Sequence, residues 1–268
     1  MFPDLRPGVS PEQASKTLVE VILRAGNVGS GLTLNHIKLF YLTWVEDAEG
    51  QLRNVFDNPE VWHGLYSGVH WRIRTMADEE PRPNRLIELE VGRQVDRLND
   101  LQAGIDRIRR WIDRSPGRCV VLDTNVLLHY VPPNQIDWSA FLDPGDGVRL
   151  VIPIRVVEEL DEKKYSRDSR ISRRARSVLS EFGEALMSEE PTSIRDGVWL
   201  EVGLHGEPRE RPLDADWEIL SSCRHLLPYA EDLLLVTGDT AMRIRSQNLG
   251  IETRVLPGEY LRSKDADE

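Results

Sequence analysis

Acidic side chains directly follow two short apolar segments in the C-terminal half of the chain. Asp123 ends the predicted strand Cys119–Asp123, and Asp239 follows the predicted strand Leu233–Thr237 after a single glycine. An apolar run that ends in a carboxylate is typical of a buried strand that presents one charged group at the edge of a sheet. Each carboxylate either binds a cation there or caps the next helix, and the repetition of the arrangement favours cation binding.

Two further acidic pairs lie at or near the starts of predicted helices. Glu158 and Glu159 are adjacent, so their side chains point about 100° apart on a helix and at most one of them faces a shared site. Asp214 and Asp216 lie at a helix start, where a carboxylate also stabilises the helix dipole. The periodicity of these segments does not choose between the members of either pair.

Several carboxylates that meet at one sheet edge repel one another, and their pKa values rise unless a cation joins them. The histidines and the two cysteines of this sequence have no metal-ligand spacing, so oxygen ligands predict Mg²⁺ or Mn²⁺ rather than zinc. A hard divalent cation held in this way polarises a phosphodiester and activates a water molecule. The acids therefore predict metal-assisted phosphodiester hydrolysis.

The elements that would position these acids alternate between strands and helices after Gly117. Short β-branched or leucine-rich runs predict five strands, at Cys119–Asp123, Val148–Ile152, Val198–Val202, Leu233–Thr237 and Thr253–Leu256. Amphipathic stretches predict helices over 125–130, 154–187, 215–227 and 240–249. This alternation is typical of a parallel sheet covered by helices, with its site beyond the carboxyl ends of the strands.

The N-terminal part predicts helices only. Ser10 is a candidate N-cap for a helix that stops near Gly26, Thr33 for a second helix, and Asn58 for a third that runs through Val69. From Asn84 onward, apolar residues at three- and four-residue steps predict one long helix. Its apolar seam either pairs two subunits or packs within one. The seam residues are Val91, Val95, Leu98, Leu101, Ile105, Ile108 and Ile112.

Charge is distributed unevenly along the 268 residues. The formal net charge is −11, with −2 in residues 1–116 and −9 in residues 117–268, which argues against bulk electrostatic coating of nucleic acid. Within the acidic half, Lys163–Arg176 carries seven basic residues and one acid, and it is either a phosphate-binding strip or a solvated helix face. The absence of long apolar runs, of a signal peptide and of a cysteine framework predicts a cytoplasmic protein without membrane partners.

Four segments, in their order and spacing, resemble the motifs of the PIN-domain family of metal-dependent ribonucleases. The segments are Val121–Leu127, Val157–Lys164, Asp216–Leu220 and Val236–Arg245. The resemblance implies an α/β fold with a PIN-like parallel sheet flanked by helices, preceded here by an all-α N-terminal domain. It implies metal binding and catalysis by Asp123, Glu159, Asp216 and Asp239, with Asp214 and Glu158 as alternates. Supporting roles would fall to Thr124, Asn125 and Thr237.

The resemblance also implies the domain layout and the activity. Residues 1–83 would form a helical N-terminal domain, 84–116 a connecting helix, 117–258 the PIN-like domain and 259–268 a tail. The implied activity is Mg²⁺- or Mn²⁺-dependent endonucleolytic cleavage of RNA, with DNA as an open alternative substrate and a homo-oligomer as an open assembly. RNA binding would use the basic residues Lys163, Lys164, Arg167, Arg170, Arg173, Arg174 and Arg176.

Two other functions compete with this expectation. A PIN-like domain that has lost productive metal binding would serve as an RNA-binding or scaffold module, although all four acids are present. A toxin of a toxin–antitoxin pair would use the same chemistry, but such toxins are usually a bare PIN domain. The additional N-terminal residues therefore favour selection of an RNA or a partner.

Overall fold

The protein is described by a computed structural model that covers residues 3–29, 33–77, 81–114, 117–142, 147–203 and 214–262. The expected tail at 259–268 lies partly outside these ranges. The chain divides into two compact units, Met1–Arg109 and Arg110–Glu268. No helix among the described residues is long and apolar enough to cross a membrane.

The N-terminal unit is helical, as the sequence predicts. Ser10 accepts a hydrogen bond from the Gln13 amide and caps the first helix, which ends one residue before Gly26. The predicted third helix is wrong in its length, because Ser67 caps a separate helix after the chain turns at Gly64. The helices are α1 (Pro11–Ala25), α2 (Leu34–Val55), α3 (Pro59–His63), α4 (Gly68–Thr75) and α5 (Pro83–Asp113).

The long helix α5 belongs mostly to the N-terminal unit, since the division of the chain falls at Arg109 within it. The middle of its apolar seam is completely buried by the chain itself at Leu98, Leu101, Ile105 and Ile108. Gln102, on the same helix, donates a 2.9 Å hydrogen bond to Ser15 of α1. The seam therefore packs within one subunit and is not a free surface for pairing two subunits.

The C-terminal unit is an α/β domain, which confirms the predicted fold class. Its strands are β1 (Arg118–Leu122), β2 (Val148–Ile152), β3 (Thr192–Arg195), β4 (Val198–Val202), β5 (Leu234–Val236) and β6 (Glu252–Arg254). Its helices are α6 (Thr124–His129), α7 (Trp138–Leu142), α8 (Ile154–Lys163), α9 (Ser169–Glu181), α10 (Gly183–Met187), α11 (Ala215–Leu226) and α12 (Thr240–Asn248).

The sheet has the order β3-β4-β2-β1-β5-β6, and every neighbouring pair is parallel except β3 and β4. The edge strand β3 and the helix α7 are absent from the sequence prediction, and the predicted helix over 154–187 is three helices. Residues 260–262 hydrogen-bond to residues 129–131, so the folded part extends past the predicted boundary at 258.

The strand order creates a crevice between two particular strands. From β1 the chain moves to β2 and β4 on one side, and it later returns to β5 and β6 on the other side. Adjacent parallel strands whose connections leave in opposite directions open a crevice at their carboxyl ends. The register pairs Leu122 with Val236, so Asp123 and Thr237 are the first residues beyond the strands on this crevice.

Candidate functional site

Asp123 and the start of α12 are joined through one threonine. Thr237 is completely buried, and its hydroxyl donates a 2.7 Å hydrogen bond to Oδ2 of Asp123. The same hydroxyl accepts a 3.0 Å hydrogen bond from the amide of Asp239. Asp239 caps α12, because its Oδ1 accepts from the Met242 amide at 2.7 Å. The carboxyl ends of β1 and β5 thus place two of the predicted acids beside each other.

The second acidic pair separates into one residue that faces this crevice and one that does not. Glu159 accepts a hydrogen bond from the hydroxyl of Thr124, the residue after Asp123. Glu158 instead pairs with Arg155 one turn earlier in α8, at 3.3 Å. Arg155 also lies 4.0 Å from Glu159. The Thr124 hydroxyl is nearer to Glu159, so it orients that carboxylate.

The third acidic pair is bridged by an arginine that the sequence interpretation did not single out. Arg245 of α12 pairs with Oδ2 of Asp214 at 2.9 Å and with Oδ2 of Asp216 at 3.2 Å. Asp214 also caps α11, since its Oδ1 accepts from the Asp216 amide at 3.1 Å. Both oxygens of Asp214 are therefore engaged.

Electrostatic coupling shows that the acids from four separate segments share one environment. The pKa of Asp216 is raised by burial and by the neighbouring charges of Asp214, Asp239 and Glu159, while Arg245 lowers it. Asp216 therefore lies within range of Asp239 and Glu159, although both are far from it in sequence. Like charges that raise one another's pKa are stabilised by a cation.

Asp123 is the most deeply placed of the predicted acids, with only 3% of its surface exposed. Burial raises its pKa, and the hydrogen bond from Thr237 opposes that rise, as do the backbone amides of Thr124 and Asn125. The negative charge of Asp216 raises the pKa further. Asp123 is therefore a carboxylate for which a positive neighbour would be strongly favourable.

The residues fit a hard divalent cation in their chemistry, because the clustered groups present oxygen atoms only. The arrangement is not a closed ligand cage. Within the described ranges, no three His, Cys, Asp or Glu side chains stand together closely enough to hold an ion. Arg245, Thr124 and the Met242 amide each engage one of these carboxylate oxygens, so the protein's own groups hold the acids in this arrangement.

The predicted RNA-binding segment is spread over the end of α8, the start of α9 and the turn between them. Lys163, Arg167, Arg170, Arg173 and Arg176 are exposed, whereas Lys164 is half-buried and pairs with Asp161 at 2.6 Å.

Arg174 differs from the other basic residues, because it is 8% exposed and donates to the Leu128 carbonyl at 3.2 Å. Its inclusion among the RNA-binding residues is a wrong expectation, since its guanidinium is used to pack α9 against α6.

Two residues at the site were missed by sequence reasoning. Arg245 lies six residues after Asp239 on the short helix α12. Its place on the helix that Asp239 caps was the sequence signal that it lies near the acids. Trp217 directly follows Asp216 and is 44% exposed. The two cysteines, Cys119 and Cys223, are buried, and burial raises the pKa of the Cys119 thiol to about 12. Both are therefore inert as nucleophiles.

The family model of the PIN domain matches residues 120–256 of this chain. The match spans β1 to the end of β6 and includes all four predicted acids. The chain belongs to the PIN-domain family, and its C-terminal unit has the nuclease-type fold of that family. A search of curated proteins found no match to the chain.

Proposed function

We propose that this protein is a metal-dependent endoribonuclease, with Asp123, Glu159, Asp216 and Asp239 as the acids that hold Mg²⁺ or Mn²⁺. The observation that carries the proposal is the hydrogen-bonded link from Asp123 through Thr237 to Asp239 at the crevice between β1 and β5, with Glu159 held beside it by Thr124. Asp216 is near enough for its charge to raise the pKa of Asp123. The four acids come from four segments; Asp239 caps α12 with its side chain, and Asp123 stands at the N-cap position of α6.

A bound divalent ion would polarise the scissile phosphodiester and supply an activated water molecule at neutral pH. The protein's contribution is to hold the acids in place before substrate arrives. Thr237 fixes Asp123 relative to Asp239, and Thr124 fixes Glu159 relative to Asp123. Such supporting hydrogen bonds orient carboxylates that bind metal and limit their rotation.

Asp216 is the better candidate than Asp214 for the third acid. Asp214 uses one oxygen to cap α11 and the other to pair with Arg245. The charges of Asp239 and Glu159 raise the pKa of Asp216, and the positive charge of Arg245 lowers it. Glu159 is likewise favoured over Glu158, because Glu159 accepts from Thr124 beside Asp123, whereas Glu158 pairs with Arg155 at 3.3 Å.

RNA is the proposed substrate, and the exposed cations of the basic segment would hold its phosphates against the acidic background of the domain. Arg167, Arg170, Arg173 and Arg176 are the proposed contacts, since arginine matches phosphate geometry. The carboxylate chemistry itself does not distinguish ribose from deoxyribose, so single-stranded DNA belongs in the same assay. We propose that the protein acts in the cytoplasm.

The test is incubation of the full chain with mixed cellular RNA, with and without Mn²⁺, followed by sequencing of the fragment ends. We expect Mn²⁺-dependent cuts with the wild type and none with Asp123→Asn or Asp239→Asn. Asp232→Asn is the matched control, because Asp232 is exposed just before β5 at the opposite end of that strand. Circular dichroism checks that each variant is folded. Equal cleavage by all four proteins would refute the assignment.

One observation favours a second candidate, a catalytically silent PIN domain that acts as a scaffold. Arg245 already neutralises Asp214 and Asp216, as a substitute for a metal ion would. Under this alternative, the wild type would show no Mn²⁺-dependent cleavage and no measurable Mn²⁺ binding. A toxin function has no comparable support in the described residues.

A further inference from the structure

Trp217 is a large aromatic side chain that is exposed beside the acidic cluster. It lies in the first turn of α11, directly after Asp216, and 44% of its surface is accessible. The next residues of this helix that face the core, Ile219 and Leu220, are almost completely buried. The apolar face of α11 is therefore buried, and the Trp217 indole lies outside that face.

The indole is held by the arginine that also holds the acids. The guanidinium of Arg245 lies 5.6 Å from the centre of the Trp217 ring, within the range of a cation–π contact. The same guanidinium pairs with Asp214 and Asp216 at 2.9 and 3.2 Å. Arg245 thus positions an exposed aromatic ring next to the carboxylates proposed to act on a phosphodiester.

We infer that Trp217 stacks on an unpaired nucleobase adjacent to the phosphate that the carboxylates address, so that the substrate is single-stranded at this point. The inference rests on the proposed function and deepens it. A phosphodiester and a flat base are the two neighbouring groups that a nucleic acid offers, and an acid–metal cluster beside an exposed indole matches both. Proteins bind unpaired bases by stacking them on aromatic rings and arginine planes.

Duplex nucleic acid does not fit this arrangement as well. Its bases are already stacked and paired, so a base reaches an external ring only after unstacking, which costs free energy. The Trp217 ring therefore discriminates in favour of single strands, loops and ends. An exposed tryptophan is also typical of protein–protein contacts, and that alternative predicts no effect of the ring on nucleic-acid binding.

The chain contains a matched control for this ring. Trp71 in the N-terminal unit is 49% exposed, and the Arg74 guanidinium lies 5.4 Å from its ring centre. Its exposure and its cation partner are thus close to those of Trp217, but it lies in the other unit, outside the matched PIN domain. Removal of Trp71 therefore measures the effect on binding of losing any exposed aromatic ring. Removal of Trp217 measures the effect of losing the ring beside the acids.

The test measures the binding of a short fluorescein-labelled RNA strand by fluorescence anisotropy, in Mg²⁺, with Asp123→Asn as the background that prevents cleavage. A single-stranded DNA of the same sequence and a blunt RNA duplex are the parallel probes. We expect Trp217→Ala to weaken single-strand binding about tenfold, since stacking of one base on an aromatic ring has that order of effect. Trp217→Phe should retain most of the affinity, and Trp71→Ala should retain all of it. Duplex binding should change little.

Several results would overturn the inference: no binding of single strands by the background protein, unchanged binding after Trp217→Ala, or equal losses from Trp71→Ala or on the duplex. Circular dichroism of Trp217→Ala, together with the Trp217→Phe result, separates a folding defect from a lost contact. The failure of the inference is distinguishable from that of the proposed function. If RNA is cleaved in a Mn²⁺-dependent way but Trp217→Ala binds single strands as well as its background protein does, only the inference about Trp217 is refuted. If Trp217→Ala selectively weakens single-strand binding but no cleavage occurs, only the nuclease proposal is refuted.

Discussion

The hydroxyl of Thr237 donates a 2.7 Å hydrogen bond to Oδ2 of Asp123, across the crevice between β5 and β1. The two residues are 114 positions apart in sequence and both are buried. This contact orients the deepest acid of the site, and it continues to the amide of Asp239 through the same hydroxyl. The geometry of the site therefore depends on Thr237 as well as on the acids.

Replacement of Thr237 by valine should lower the free energy of unfolding by about 1–3 kcal/mol, because Asp123 would lose its buried donor without a change in side-chain shape. Thr237→Ser keeps the hydroxyl and should recover part of the loss. Urea unfolding followed by circular dichroism measures both variants. A Thr237→Val variant as stable as the wild type, beside a destabilised Thr237→Ser variant, would show that the methyl group matters and that the hydrogen bond does not.

Glu159 and Glu158 should differ in their effect on metal binding. Glu159→Gln should weaken Mn²⁺ binding about tenfold or more, since it removes a charge from the cluster, whereas Glu158→Gln should have little effect because Glu158 pairs with Arg155. Isothermal titration calorimetry of the full chain provides the affinities. The reverse order would assign the second acid to Glu158.

Arg245→Gln should increase Mn²⁺ affinity several-fold, because a cation that competes for Asp216 is removed. The guanidinium is about one-third exposed, so solvent screening keeps the effect moderate. Arg243→Gln is the matched control on the exposed face of the same helix. If Arg245→Gln instead weakens Mn²⁺ binding while Arg243→Gln leaves it unchanged, Arg245 organises the carboxylates rather than competing with the metal ion.

The basic segment should contain two kinds of arginine. Arg167→Gln should weaken RNA binding to all sequences alike and should reduce the slope of log K against log salt by about one. Arg174→Met should instead lower the free energy of unfolding by about 1–3 kcal/mol, because the buried Leu128 carbonyl would lose a donor. Salt-dependent anisotropy and urea unfolding separate the two effects. A normal stability for Arg174→Met would restore Arg174 to the RNA-binding set.

The buried ion pair between Arg149 of β2 and Glu201 of β4 should be important for stability. Arg149 also donates to the Trp111 and Ile112 carbonyls at 2.6 and 2.9 Å, and Arg114 pairs with Glu201 at 2.8 Å. Arg149→Met should cost about 3–5 kcal/mol, because it leaves a buried carboxylate with one partner fewer. The double variant Arg149→Met with Glu201→Gln should be less destabilised than the sum of the single variants. Strict additivity in urea unfolding would show that the pair is not coupled.

Local patterns account for much of what was predicted correctly. The bounds of β2 and β4 agree with the prediction to the residue, because each is a short, mostly apolar run that follows a glycine and ends before a proline or a glycine. The starts of α1 and α3 agree because Ser10 and Asn58 supply their caps from neighbouring positions. The edge strand β3 was missed because half of its residues face solvent and its apolar content is low.

The sequence by itself determined the element types, the acids at the strand ends and the family, since apolar periodicity, capping and motif spacing are local properties. Only the tertiary structure decided which acids meet, that Arg174 is buried, and that Arg245 bridges Asp214 and Asp216. These outcomes depend on contacts between segments distant along the chain. Such contacts follow from strand order and helix packing, which no single stretch of sequence encodes.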